Sequence, residues 1–161
     1  MTPGILDRVG TPATGTVRLE TPDGALCWGV VASAGEPDDP WRLGLAHVRL
    51  GASRRLREQA QRYLSARTVG GTPLLLQQMV KGSLADALGR QIEAETVLSG
   101  AVPGALSQAT LRHVHETITE TDRELLRLLG ASGFRLDGPG VTAHASALLA
   151  DAYLDRPTVR S

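Results

Sequence analysis

The chain has 161 residues, enough for one domain that buries roughly 70% of its unfolded surface without a staple. Its 17 basic and 17 acidic residues sum to zero and aromatics make up 3% of it, which excludes an electrostatic or base-stacking footprint for nucleic acid. The single cysteine, Cys27, excludes an internal disulfide, and with no apolar leader and no apolar run near ~20 residues the expectation is a soluble cytoplasmic protein that neither spans nor coats a membrane.

Residues 1–13, with two prolines, read as a flexible lead. Residues 16–20 alternate apolar and polar as a half-buried strand does, Pro22, Asp23 and Gly24 signal a turn, and residues 25–31 read as a second strand. Together they predict an N-terminal β-hairpin. Asp39 and Pro40 then supply a cap and a first helical position. Trp41, Leu45, Val48, Ala52, Leu56 and Tyr63 recur near a 3.6-residue period, so a long helix is expected to about Ala66. Gly70 and Gly71 break it, and Thr72 and Pro73 repeat the cap-then-proline start. Leu76, Val80, Leu84, Leu88 and Ile92 line the predicted second helix, which ends near Gly100. Leu111, Val114, Ile118, Leu125 and Leu128 line a third, stopped by Gly130. Pro139 opens a fourth, with Val141, Ala145, Leu148 and Leu149 as its apolar members, and Pro157 ends it. The expected fold is mainly α: an antiparallel four-helix bundle over residues 39–157, with residues 1–38 as lead and hairpin packed on it as one domain.

Two stretches carry a resemblance. LGLAHVRLGASRRLREQAQRYLSARTVGGTPLLLQQMVKGSLADAL resembles the long helix, the Arg-x-x-Phe-Gly-x-Pro turn and the following helix of the acyl-CoA dehydrogenase C-terminal domain. LRLLGASGF resembles that family's Gln-x-x-Gly-Gly-x-Gly-Phe flavin loop. The resemblance implies a helical bundle that, in the family, forms the core of a tetramer and completes the FAD site of a neighbouring subunit. On matching positions it implies cofactor-binding roles for Arg67, Gln78, Arg127, Gly130 and Gly133. Arg67 falls on the pyrophosphate-binding arginine, a role that suits a guanidinium. Gly70 stands where the motif has phenylalanine, Arg127 where it has glutamine, and Ala131 where it has the second glycine. The two positions where the family places its catalytic glutamate are Trp41 and Leu154, with Asp39 and Asp155 nearby.

Other residues invite a role. Trp28 and Trp41, the only tryptophans, fall where hairpin and first helix meet and are pocket candidates, with Asp39 and His47 near the expected pocket mouth. His113 and His115 are two apart on a helix and cannot form an i, i+4 metal pair, so no metal site is expected. His113 reads as a flank of the core stripe. Glu93 faces solvent or, turned inward, serves as a base. The cluster Arg54, Arg55, Arg57 and Arg62, with Glu58 among it, reads as a solvated face or, as the alternative, a contact for a CoA or carrier-protein phosphate.

The expected function is a flavin-free cyclase or isomerase of bacterial specialised, polyketide-like metabolism, steering a small apolar or acyl substrate mostly by shape. It would bind no cofactor alone and would form a homodimer or tetramer through its helices. One alternative is a small subunit that shares FAD with a larger acyl-CoA dehydrogenase partner. A second is a non-catalytic assembly protein.

Overall fold

The computed structural model describes residues 2–5, 17–21, 24–31, 39–135 and 138–154, with side chains from 40 to 135 and from 138 to 151. Two of the expected strands are present as β2 (Val17–Thr21) and β3 (Gly24–Val31), paired antiparallel with Val17 opposite Trp28 and Thr21 opposite Gly24. Thr2–Ile5, read from sequence as part of the lead, forms β1 on the other edge of β3, with Ile5 opposite Trp28. The three-stranded sheet has the order β1-β3-β2. Pro3 is tolerated there because an edge strand need not donate along its free side.

Four helices make up most of the other described residues: α1 (Asp39–Ala66), α2 (Gln78–Ser99), α3 (Gln108–Leu129) and α4 (Pro139–Leu154). The strand β2 lies against α4. With 28 residues, α1 is about 42 Å long and touches each of the other three helices. The α2 start departs from expectation. Gly70 and Gly71 both take positive φ, +59° and +80°, and close a two-residue hairpin between β4 (Thr68–Val69) and β5 (Thr72–Pro73). Thr72 and Pro73 are therefore used as a strand, not as a helix cap. A 3₁₀ turn over Leu74–Leu76 follows, held by the Leu74 N–H donating to the Arg67 carbonyl at 2.7 Å. The Ser107 hydroxyl caps α3 by accepting from the Thr110 N–H at 3.0 Å. Gly130, at φ +54°, ends α3 and leads into a 3₁₀ turn over Gly130–Phe134. No helix among the described residues is long and apolar enough to cross a membrane.

Among the described residues the core holds two apolar clusters. In one, Leu56, Ala60 and Leu64 of α1 meet Leu84 and Ala87 of α2, Leu125 and Leu129 of α3 and Ala143 of α4. In the other, Ala46 and Leu50 of α1 meet Ala94 and Leu98 of α2 and Val114 and Ile118 of α3. Residues late in α1 thus pack on residues early in α2, and the reverse at the far end. Between the clusters runs a buried polar belt that includes Arg49, Ser53, Gln91, His115, Thr121, Asp122 and Ser146.

The buried face of α3 agrees with its periodicity. Those of α1 and α2 are rotated from it. Val48 is 67% exposed and Trp41 is also exposed, while Arg49 and Ser53 are buried. On α2, Leu76 (in the preceding turn), Leu88 and Ile92 face outward, and Ala87, Gln91 and Ala94 face in. The reason is the close approach that small residues allow, together with the buried hydrogen bonds that admit Ser53 and Gln91. On α4, Ala145 is buried and Leu148 is exposed.

Leu125→Ala, at a fully buried position, is expected to lower the free energy of unfolding by about 2–5 kcal/mol. Val48→Ala, although in the periodic pattern, should change it by less than about 0.5 kcal/mol. Urea denaturation of both variants checks the rotated face of α1.

Candidate functional site

Arg49 is the centre of the polar belt. It projects from α1 at 1% exposure into a gap between α3 and α4. Its Nε donates to Ser146 Oγ at 2.9 Å and its Nη2 to Thr119 Oγ1 at 2.7 Å. Its Nη1 lies 2.8 Å from His115 Nδ1 and also donates to the His115 carbonyl at 3.3 Å. A guanidinium has only donors, so Nδ1 must accept, and the neutral imidazole then carries its proton on Nε2. That Nε2–H is buried without a hydrogen-bond partner. Burial, followed by the positive Arg49, pushes the imidazole down to about 4, which keeps it neutral near pH 7. Burial also brings Arg49 down to about 10, with Asp122 and Asp151 opposing, and the guanidinium stays charged.

Asp122 lies seven residues after His115, two turns along the same helix and about 10 Å away in rise. Burial pushes its carboxyl up to about 6, while the Ser53 hydroxyl and the Arg49 charge pull the other way. Its Oδ1 is buried and has no hydrogen-bond partner. Ser53 is held in turn by Gln91, whose Nε2 donates to Ser53 Oγ at 2.9 Å and whose Oε1 accepts from Arg57 Nε at 2.8 Å. An ionisable carboxyl with a free oxygen, beside a fixed positive charge, can take up and return a proton near neutral pH.

Two depressions flank this belt. The larger, about 430 Å³, lies between α3, the Gly130–Phe134 turn and α4. Its walls are mainly apolar, from Leu126, Phe134, Val141, Ala143 and Ala147, with Asp122 forming part of them. The smaller, about 170 Å³, is polar and lies over His115, between α3 and the end of α4. Thr119 and Arg123 line both. Gly133 and Gly140 bring the turn and α4 together. A Cβ on Gly140 would sit 2.0 Å from the Gly133 carbonyl oxygen, and one on Gly133 would press on Leu126 and Leu129.

The residues singled out from sequence lie elsewhere. Trp41 and His47 are exposed on α1, and neither lines either depression. The Trp28 and Asp39 side chains fall outside the described residues. The pocket expected where Trp28 and Trp41 meet therefore lies outside the described residues. Arg67, Gln78, Arg127 and Gly130 are all exposed, at the end of the helices where α1 finishes and α2 begins. Arg67 stacks over Tyr63, 4.5 Å from the ring centre. Gly133 is buried, with the packing role just described. His113 is exposed, not a flank of the core, and its Nε2 lies 3.9 Å from the solvent-facing Glu93. Arg54 of the arginine cluster is paired with Glu95 across helices, and Arg57 reaches into the belt. No group of His, Cys, Asp and Glu placed to hold a metal occurs among the described residues. Arg49 and Asp122 were not among the candidates, and His115 was weighed only as a metal ligand. A signal existed on α3, where His115 and Asp122 share the face of Leu111, Val114, Ile118 and Leu125. On α1 there was none, since Arg49 sits among other arginines.

No family model matches the chain, and no curated protein is similar to it.

The two shifted groups predict opposite pH dependences. Asp122 binds its proton more tightly folded than unfolded, so its contribution falls as pH rises from about 4 to about 6. His115 binds its proton less tightly when folded, so its contribution rises over nearly the same interval, above about 4. Relative to the unsubstituted protein, Asp122→Asn should gain stability steadily as pH rises from 4 to 6, and His115→Asn should lose it. Melting temperatures across that range check both signs; differences independent of pH would refute the assignment.

Proposed function

We propose that this protein is a cofactor-free, proton-transferring enzyme of the isomerase or cyclase kind, acting on an apolar, carbonyl-bearing chain such as polyketide-like metabolism provides. The observation that carries the reading is Asp122, a buried carboxyl with one unpartnered oxygen in the wall of an apolar cleft. The scaffold, in this reading, is an antiparallel four-helix bundle like the C-terminal domain of the acyl-CoA dehydrogenases. Asp122 takes the place of Trp41 as the centre of chemistry.

The chemistry is balanced without an oxidant. Ionised Asp122 removes a proton from a carbon made acidic by an adjacent carbonyl, giving an enolate. The protonated carboxyl then returns that proton, to another carbon of the conjugated system in an isomerisation or to the alkoxide formed by ring closure in a cyclisation. A carboxyl that titrates near 6 serves as both acceptor and donor close to neutral pH. Arg49 stabilises the ionised form, and the apolar walls hold the chain in a reactive conformer.

One observation favours a second reading, in which the chain completes the FAD site of a larger acyl-CoA dehydrogenase partner. Arg67, Gln78, Arg127 and Gly130 are exposed together at one end of the helices, where a partner could reach them. The two readings separate in one assay, conversion of dec-4-en-2-one to its conjugated isomer, followed by ultraviolet absorbance with no flavin added. Turnover is expected from the chain alone, and Asp122→Asn should lower it at least about 100-fold. Turnover that needs added flavin, or that survives Asp122→Asn, would overturn the Asp122 mechanism.

The chain is also proposed to form a homodimer through the outer face of α2. Met79, Leu88 and Ile92 are exposed there, and Gly82 and Gly89 leave open space around their Cα atoms, a surface that admits a second helix closely. Light scattering is expected to give twice the chain mass, and Leu88→Glu with Ile92→Glu should reduce it to one chain while the helical circular dichroism persists.

A further inference from the structure

The smaller depression is not accounted for by Asp122. Three features define what it can take. First, His115 lines it, a residue 1% exposed whose Nε2–H is buried without a partner. Such a group is costly to leave unpaired and favours a ligand oxygen as acceptor. Second, the charges around it are mixed: Glu116, Glu120 and Asp151 set three carboxylates against the two guanidiniums of Arg112 and Arg123. A carboxylate or phosphate ligand would meet the three carboxylates, and an ammonium would leave His115 unpaired and meet two guanidiniums. Third, the depression adjoins the apolar cleft, with Thr119 and Arg123 lining both. Thr119 is fixed there, accepting from Arg49 and donating to the His115 carbonyl.

We infer that the smaller depression is a subsite for a neutral oxygen acceptor (an amide, ester, thioester or ketone carbonyl) on the same chain that occupies the apolar cleft, the acceptor taking the hydrogen bond of His115 Nε2–H. The inference rests on the proposed function for the identity of the reacting end. The spacing of His115 and Asp122 on α3 then fixes the substrate class as a chain bearing a second carbonyl about 10 Å from its reacting carbon. That length separates two roles on one molecule, a head that is recognised and a far carbon that is changed.

Binding of unreactive probes tests the subsite without turnover. Calorimetry on the full chain compares decanamide, decanoate and decylamine, which share a ten-carbon length and differ in head charge. Decanamide is expected to bind at least about tenfold more tightly than either charged probe. Glu116→Gln combined with Asp151→Asn should narrow the gap between decanamide and decanoate. Since replacing His115 also removes an Arg49 partner, the hydrogen bond itself is read from the ¹⁵N resonance of His115 Nε2 in the unsubstituted protein, which should shift on adding decanamide and not on adding decylamine. Equal affinities, a preference for either charged head, no binding, or an unmoved His115 resonance would each overturn the subsite. Probe preference that persists in Asp122→Asn while isomerase turnover is absent from the unsubstituted protein would leave the subsite standing and remove the proposed reaction.

Discussion

A buried positive charge organises this molecule. Four of the five donor directions of the Arg49 guanidinium have acceptors on α3 and α4, so one side chain from α1 joins three helices. The second helix is joined one step removed, where Gln91 holds Ser53, one turn along α1 from Arg49. Burying a guanidinium costs several kcal/mol unless its partners are complete, so the arrangement is tolerated only with the helices in this register. A slip of one turn between α1 and α3 would leave Arg49 without His115 or Thr119. The apolar clusters on either side make no such demand, because leucine and alanine surfaces slide past each other at modest cost. The clusters supply much of the driving force for folding, and the belt selects among the packings they would permit.

The same charge sets the chemistry beside it. Burial keeps His115 neutral and Arg49 adds to that effect while fixing its tautomer, and Arg49 draws the Asp122 proton toward release against the effect of burial. A substitution at Arg49 would therefore disturb packing, register and both titrating groups together.

Helix limits were legible because they are written in local chemistry. Asp39 with Pro40, Pro139, Gly100 and Gly130 each mark an end within a residue or two of where it falls. The start of α2 was not, because Thr72 and Pro73 suit a cap and a strand equally, and the choice is made by the positive φ of Gly70 and Gly71. Burial on α3 followed its leucine and valine spacing. On α1 and α2 several inward positions between the buried leucines are filled by alanine, serine, glutamine and arginine, which carry little hydrophobic signal, while Val48, Leu88 and Ile92 carry one and face outward. The site was hidden for the same reason. Its members are polar residues whose burial depends on partners more than 60 residues away in sequence, as Arg49 and His115 are.

The pairing of Gly133 with Gly140 has a consequence for how this cleft can change. The wall-to-wall distance is set where two backbones touch, at residues that have no side chain to trim. Leu126, Val141 and Ala147 can be exchanged for larger or smaller neighbours, and that would alter the contour of the cavity while its span stayed fixed. The contour of the cleft is thus open to variation residue by residue, whereas its thickness is a property of the fold.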